Sequence, residues 1–247
     1  MLILLPPSES KRAGGDGAPL DLAALSFPEL TRPRRSAVSA TRKLASNLKA
    51  AAQVLKLGPK QSPEVLWNRA LTTSPTLPAL DRYDGVLFDA LDAPSLDEAA
   101  RRFAREHVAI ASALLGLTGA LDPIPAYRLS HDSRLPGVRL KELWRQPIGA
   151  VLAARSGLIL DLRSEGYAEL GPIPRRPDAV FVRVVSEGTD GRKRALNHFN
   201  KAGKGAFVRQ LVLAGVDHPD VESLLGWAAS AGIRLEAGAA GELDLVV

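Results

Sequence analysis

Five short polar clusters hold the residues able to do chemistry in this chain. Ser8-Glu9-Ser10-Lys11 follows the apolar opening MLILL. It sets a hydroxyl, a carboxylate and an ammonium just beyond a strand's carboxyl end, where open α/β sheets place ligands. Pro125-Ala126-Tyr127-Arg128-Leu129 pairs a phenol with a guanidinium able to clamp an anion through two parallel bonds. Asp161-Leu162-Arg163-Ser164-Glu165-Gly166-Tyr167 directly follows a buried run, where a core prefers apolar groups, and such local inconsistency marks functional sites. Asn197-His198-Phe199-Asn200-Lys201-Ala202-Gly203-Lys204-Gly205 leads into a helix over 206–214, whose free N–H groups suit an anion. Lys201, Lys204 and Arg209 add charge there, although the helix dipole disfavours cations at that end. Gly215-Val216-Asp217-His218-Pro219 is a turn between two helices, most simply a structural αα-corner.

The chemistry these groups offer is anion binding and proton transfer. Glu9, Lys11, Tyr127, Arg128, Asp161, Ser164 and Tyr167 are the candidate catalytic residues, with Asp161 or Tyr167 as a general acid or base. Trp144 either closes the same region or ends a helix in the core. No phosphate-cradling P-loop, no strand-linked G-x-G-x-x-G and no G-x-S-x-G elbow is present. The chain has no cysteine, which excludes disulfides, thiolate zinc sites and cysteine nucleophiles. His107, His131, His198 and His218 form no H-x-x-x-H pair, so no metal site and no cofactor are expected. Met1 is the only methionine; that reads as an Ala/Arg/Leu-rich composition before it reads as resistance to oxidants.

Charge is unevenly distributed. The net is +5, yet from Thr31 to Lys60 there are eight Lys/Arg and no acid, while from Val216 to Val247 six acids face one Arg. A polyanion such as nucleic acid, or a small anionic ligand, suits such asymmetry if the charges gather in space. The apolar opening is too short and too soon broken by Pro6-Pro7 to be a signal peptide or a membrane span, so no membrane contact and a cytoplasmic location are expected.

The elements that must position these clusters follow from periodicity and punctuation. MLILL, LILDL (158–162) and AVFVRVV (179–185) predict buried strands, and 233–235 and 243–247 short closing ones. Ser36–Leu57 predicts an amphipathic helix whose outer face carries Arg42, Lys43 and Lys49, stopped by Gly58-Pro59. Ser62-Pro63-Glu64 starts another helix. Ser95–Leu117 predicts a second long helix, opened by a capping box at Ser95 and Glu98 and broken at Asp122-Pro123. Residues 150–154 suit a short helix, 186–193 a hairpin turn, and 201–214 and 219–230 a closing helix pair. Strands and helices are mixed, with neither repeat nor linker. The expectation is one compact α/β domain over 1–247, with a mixed sheet flanked by helices and a C-terminal helix-turn-helix (helix-hairpin-helix-like) element.

The clusters resemble the YaaA peroxide-stress family. MLILLPPSESK, Tyr83-Asp84-Gly85-Val86-Leu87, SALLGLTGALDPIPAYRLS, DLRSEGY and HFNKAGKGAFVRQL occur in the family's order across residues 1 to about 211. The resemblance implies a fold described as "cantaloupe", a positively charged cleft, DNA binding through a helix-hairpin-helix-like element and a role in limiting oxidative damage linked to intracellular iron. It carries Lys11, Tyr127, Arg128, Ser164, Tyr167, Lys201, Lys204, Gly205 and Arg209 over as functional residues. The departures are Gly119 near an expected Arg, Asp161 for an Asn and Lys204 for an Arg.

Two functions follow as expectations. The first is a monomeric DNA-binding protein contacting the phosphate backbone with weak sequence preference, its anion-binding residues being Lys11, Arg128, Lys201, Lys204, Gly205 and Arg209. The second is an enzyme acting on a small anionic or nucleobase-like substrate in the same cleft. Direct iron handling ranks last, because no ligand spacing supports it.

Overall fold

The computed structural model describes residues 1–187, 193–195 and 200–247. In chain order the first half contains β1 (Leu2–Leu5), α1 (Thr31–Ala45), α2 (Leu48–Val54), α3 (Val65–Arg69), β2 (Leu77–Pro78), α4 (Ala79–Arg82), α5 (Val86–Leu91), α6 (Glu98–His107), β3 (Val108–Ser112), β4 (Gly116–Gly119) and β5 (Pro123–Ile124). The second half contains α7 (Leu140–Ala153), β6 (Ile159–Asp161), α8 (Glu165–Leu170), β7 (Ala179–Glu187), β8 (Lys193–Ala195), α9 (Asn200–Ala214), α10 (Val221–Ser230), β9 (Leu235–Ala237) and β10 (Glu242–Val246). The expected turn at Gly188-Thr189-Asp190-Gly191 and the start of the fourth cluster, Asn197-His198-Phe199, lie outside the described residues.

The main sheet runs β4-β3-β1-β6-β7-β10-β9, with β8 also paired to β7. β1, β3, β6, β7 and β10 are mutually parallel, and β4, β8 and β9 are antiparallel to their neighbours. Strands buried on both faces read as continuous apolar runs. That is why LILL and VAIAS, unbroken by polar alternation, occupy the middle of the sheet. The helices that flank it pack in two groups: α1, α2, α3, α7 and α8 contact one another, and α5 and α6 contact α9. One buried apolar cluster extends from Leu2 to Leu245.

The path places a topological switch at β1. The chain leaves β1, reaches β3 on one side, and later returns as β6 on the other. The segments that follow these three strands therefore meet beyond their carboxyl ends, the crevice where open sheets bind ligands.

Three expectations are corrected. The helix expected over 95–117 is α6 followed by β3 and β4. Its apolar run fits either state by periodicity, and the β-branched Val108 and Ile110 favour the strand. Its cap is Asp97, which accepts from Ala100 N at 2.8 Å, and not Ser95. The helix expected over 36–57 begins at Thr31 and breaks at Ser46-Asn47, because the Asn47 side chain caps α2 by accepting from Ala50 N. α7 runs the full length of Leu140–Ala153 around Pro147, since Leu140, Trp144, Ile148 and Leu152 form a buried stripe that outweighs the missing N–H.

Helix α9 touches α5 backbone to backbone at Gly205, where a Cβ would lie 2.1 Å from the Leu87 carbonyl oxygen and 2.9 Å from Ala90 Cβ. Gly205→Ala should therefore destabilise the fold by about 1–3 kcal/mol through overpacking. Chemical denaturation measures this, and an unchanged midpoint would show that the two helices part freely.

Candidate functional site

The loop after β1 turns back so that Lys11 pairs as a β-bridge with Tyr83. Arg82 secures that turn. Its backbone carbonyl accepts from Arg12 N, and its fully buried guanidinium donates to the carbonyls of Arg12, Gly14, Pro75 and Ile124. Lys11 is thereby carried inward until 7% of its surface remains exposed. Its Nζ donates to Ser8 O at 2.9 Å and Glu9 O at 3.3 Å, and lies 4.1 Å from the centre of the Tyr127 ring and 5.2 Å from that of Tyr83. Burial lowers the Lys11 pKa to about 7; Glu9 opposes the shift and Arg128 adds to it.

Beside the amine runs a chain of hydroxyls. Ser112 Oγ, at the end of β3, accepts from Leu114 N at 3.2 Å and Leu115 N at 2.9 Å. With both lone pairs engaged, its own proton goes to Tyr127 Oη at 2.7 Å. Tyr127 then donates to Tyr83 Oη at 2.7 Å. The polarity of the chain leaves the Tyr83 proton without an acceptor among the described residues. Burial raises the Tyr83 pKa to about 12 and that of Tyr127 well above 10, so both phenols keep their protons at neutral pH.

Arg128 follows Tyr127 and completes the cluster. Buried Asn68 on α3 fixes its backbone by donating Nδ2–H to Arg128 O at 2.7 Å and accepting from Arg128 N at 2.8 Å. The Arg128 guanidinium meets Glu64 Oε2 at 3.1 Å, donates to Glu9 O at 3.2 Å, and lies 3.8 Å from Glu9 Oε2. Its Nη2 makes no hydrogen bond among the described residues. Tyr167, on α8, is buried edge-on to His131 with ring centres 5.1 Å apart, and burial followed by the nearby Glu9 charge raises its pKa. Glu9, Lys11, Tyr127, Arg128 and Tyr167 are thus brought together at the ends of β1, β3 and β6.

The remaining expected residues have other surroundings. Both Asp161 carboxylate oxygens are held by Arg163, at 2.9 Å to Nε and 2.8 Å to Nη2, and Arg163 Nη1 donates to Gly171 O. Asp161 is thereby the acceptor half of a buried ion pair, with the Arg163 N–H also donating to Oδ1 at 3.0 Å. Lys204 is buried and donates to Leu162 O at 2.9 Å, with its pKa lowered to about 8 by burial against the field of Asp161. Arg209 donates to Leu91 O at 2.8 Å and Asp92 O at 3.1 Å, closing the carboxyl end of α5. Gly205 serves helix contact, Ser164 is exposed just ahead of α8, and Lys201 is exposed on α9. Trp144 is a core residue that donates to Ala113 O at 2.9 Å. A groove of about 1020 Å³ lies off the Lys11 cluster, shares only Asp161 with the candidates, and is lined by four arginines and four carboxylates. The expected basic cleft is therefore not what this groove provides.

Tyr83, Ser112, Asn68 and Glu64 belong to the site but were not singled out for it by sequence. Tyr83 had a signal, a polar Tyr83-Asp84-Gly85 interruption before an apolar run. Ser112 lies inside an apolar run whose period suits a helix as well as a strand. Asn68 and Glu64 act through contacts 60 and 64 residues distant in sequence, which no local pattern encodes. Among the described residues no group of three or more His, Cys, Asp or Glu is placed to hold a metal ion.

A lysine with a depressed pKa in the native state binds fewer protons than the unfolded chain does between about pH 7 and 10.5. Its penalty is full below pH 7 and fades as pH rises toward 10.5. Lys11→Met should therefore stabilise the fold by roughly 1 kcal/mol or more at pH 6.5, with the gain shrinking by pH 9.5. Paired denaturation curves at the two pH values test this, and a destabilised variant at pH 6.5 would show that Lys11 holds the loop together.

Comparison with known proteins places the chain in a family. A family model described as "Peroxide stress protein YaaA" matches residues 1–235. A UPF0246 protein of Corynebacterium glutamicum is 44% identical over 241 residues, covering 96% of this chain and 95% of the relative. One from Streptomyces coelicolor is 41% identical over 261 aligned positions, covering 100% and 98%. A more distant one from Polynucleobacter asymbioticus is 27% identical over 235 residues. With its motif order, its matched length and these actinobacterial relatives, the chain belongs to the YaaA peroxide-stress (UPF0246) family.

Proposed function

We propose that this peroxide-stress protein binds the phosphate backbone of DNA through the outer face of α1, and that by covering DNA it limits oxidative damage linked to intracellular iron. One observation carries the reading. Arg32, Arg35, Arg42 and Lys43 recur at helical spacing, all exposed, and none forms an ion pair among the described residues. Their neighbour Arg34 turns the other way and donates to Ser26 O, Leu115 O and Leu117 O in the core, which fixes the helix and leaves the stripe outward. Eleven residues at 1.5 Å each spread the stripe over about 16 Å, close to five base-pair steps of about 3.4 Å. Lys201 and the turn between α9 and α10 would add a second contact of the helix-hairpin-helix kind, whereas Lys204 and Arg209 are committed to backbone carbonyls.

Such binding depends steeply on salt, because each neutralised phosphate releases counterions. Titration of duplex DNA at several salt concentrations should give a steep log–log slope. The triple change Arg35→Gln, Arg42→Gln, Lys43→Gln should flatten it by about 2.7, or 0.9 per lost contact. Affinity indifferent to salt would overturn the proposal.

A second reading rests on the convergence at β1, β3 and β6: a pocket for a small anionic ligand, with Arg128 Nη2 and Lys11 as the cations and the Tyr83 proton as the donor. Calorimetric titration with oxalate tests it, and Arg128→Met should weaken binding about tenfold or more, as loss of a charge-assisted pair does. Equal affinity in wild type and variant would remove this reading.

A further inference from the structure

We propose that Lys11 forms an imine with a small carbonyl compound bearing an anionic group, an aldehyde acid or a 2-oxo acid, with Tyr83 as the proton donor to the carbonyl oxygen. The proposal rests on the anion pocket of the second reading and names its ligand and its chemistry.

Four observations support it together. The amine is held in place by two carbonyls, Ser8 O and Glu9 O, so its position is set before any ligand arrives. It sits against two aromatic rings in a desolvated spot, the setting that turns a lysine into a nucleophile. The hydroxyl chain from Ser112 through Tyr127 ends on Tyr83, a buried donor whose proton has no acceptor among the described residues. Arg128 presents an unbonded Nη2 beside them, suited to one carboxylate or phosphate oxygen. The charged groups that face Lys11 are Glu9 from its own loop, Arg128, Glu64 ahead of α3 and Arg82 of α4. Their mixed signs leave burial as the dominant influence on the amine. With only 7% of Lys11 exposed, a small ligand suits the site better than a large one.

The steps balance. The neutral amine adds to the carbonyl carbon, a C–N bond forms, and the carbonyl π pair moves to oxygen. Tyr83 gives that oxygen its proton and recovers one from the new ammonium, so the carbinolamine forms with no net proton uptake. The hydroxyl then departs as water with one proton from solvent, leaving the protonated imine. No oxidant, reductant or metal is needed.

Glyoxylate is the probe. Full-length protein is incubated with it at pH 7, reduced with sodium borohydride and mapped by peptide mass spectrometry. The expected result is carboxymethylation concentrated on Lys11, about tenfold or more above exposed Lys43 and Lys49, since a solvated lysine with pKa near 10.4 is almost wholly protonated at that pH. Tyr83→Phe should slow labelling of Lys11 and leave Lys43 and Lys49 unchanged. Acetaldehyde, which lacks the anion, should keep only the preference that the neutral amine supplies, and so favour Lys11 less strongly than glyoxylate does. Label spread evenly over the lysines, or concentrated on Lys204, would overturn the proposal. Oxalate binding that depends on Arg128 with no label on Lys11 would reject the imine alone, whereas loss of both would reject the pocket as well.

Discussion

An amine driven into a place that water barely reaches is the constraint around which this structure is arranged. Lys11 needs acceptors for its protons, and the chain provides them from the carbonyls of the same loop, Ser8 and Glu9. The loop must then be pinned, which Arg82 does by binding four carbonyls, and the aromatic walls must be pinned as well, which the Tyr83–Tyr127–Ser112 chain does. A buried ammonium is costly unless it is hydrogen-bonded. A fold that retains one at the mouth of a topological switch gives up stability to hold a charged group in a defined position.

The same device recurs elsewhere with a different outcome. Arg34, Lys204 and Arg209 direct their charge at backbone carbonyls, and Arg163 adds one such bond, to Gly171 O, to its pair with Asp161. These cations act as connectors between elements, satisfying acceptors that would otherwise be buried without partners. A count of basic residues therefore overstates the charge available to an outside polyanion. Within 31–60, Arg34 is absorbed by the core and Lys56 pairs with Asp132, while the α1 stripe has no ion pair among the described residues.

This sorting separates two possible working surfaces. The α1 stripe is solvated, repetitive and suited to a long polyanion whose contacts are individually weak. The Lys11 cluster is dry, compact and directional. Both sit on a frame common to relatives of nearly the same length, since the alignments with the actinobacterial proteins cover almost the whole of each chain.

Local sequence determined the buried strands LILL and ILD, the closing helices α9 and α10, and the identity of the polar clusters, because each depends on periodicity or on residues a few positions apart. It also carried the family, through motifs kept in order. It did not separate α6 from β3, since an apolar run suits a helix or a strand until its partners are known, and β3 becomes a strand by pairing with β1, more than a hundred residues away. Nor did it show which cations are free. Lys204 and Arg128 look alike as charges in a motif, yet one is spent on Leu162 O while the other keeps an open edge. Only tertiary structure decided that, because whether a charged group is available depends on the acceptors and the water that folding leaves around it, and those come from distant parts of the chain.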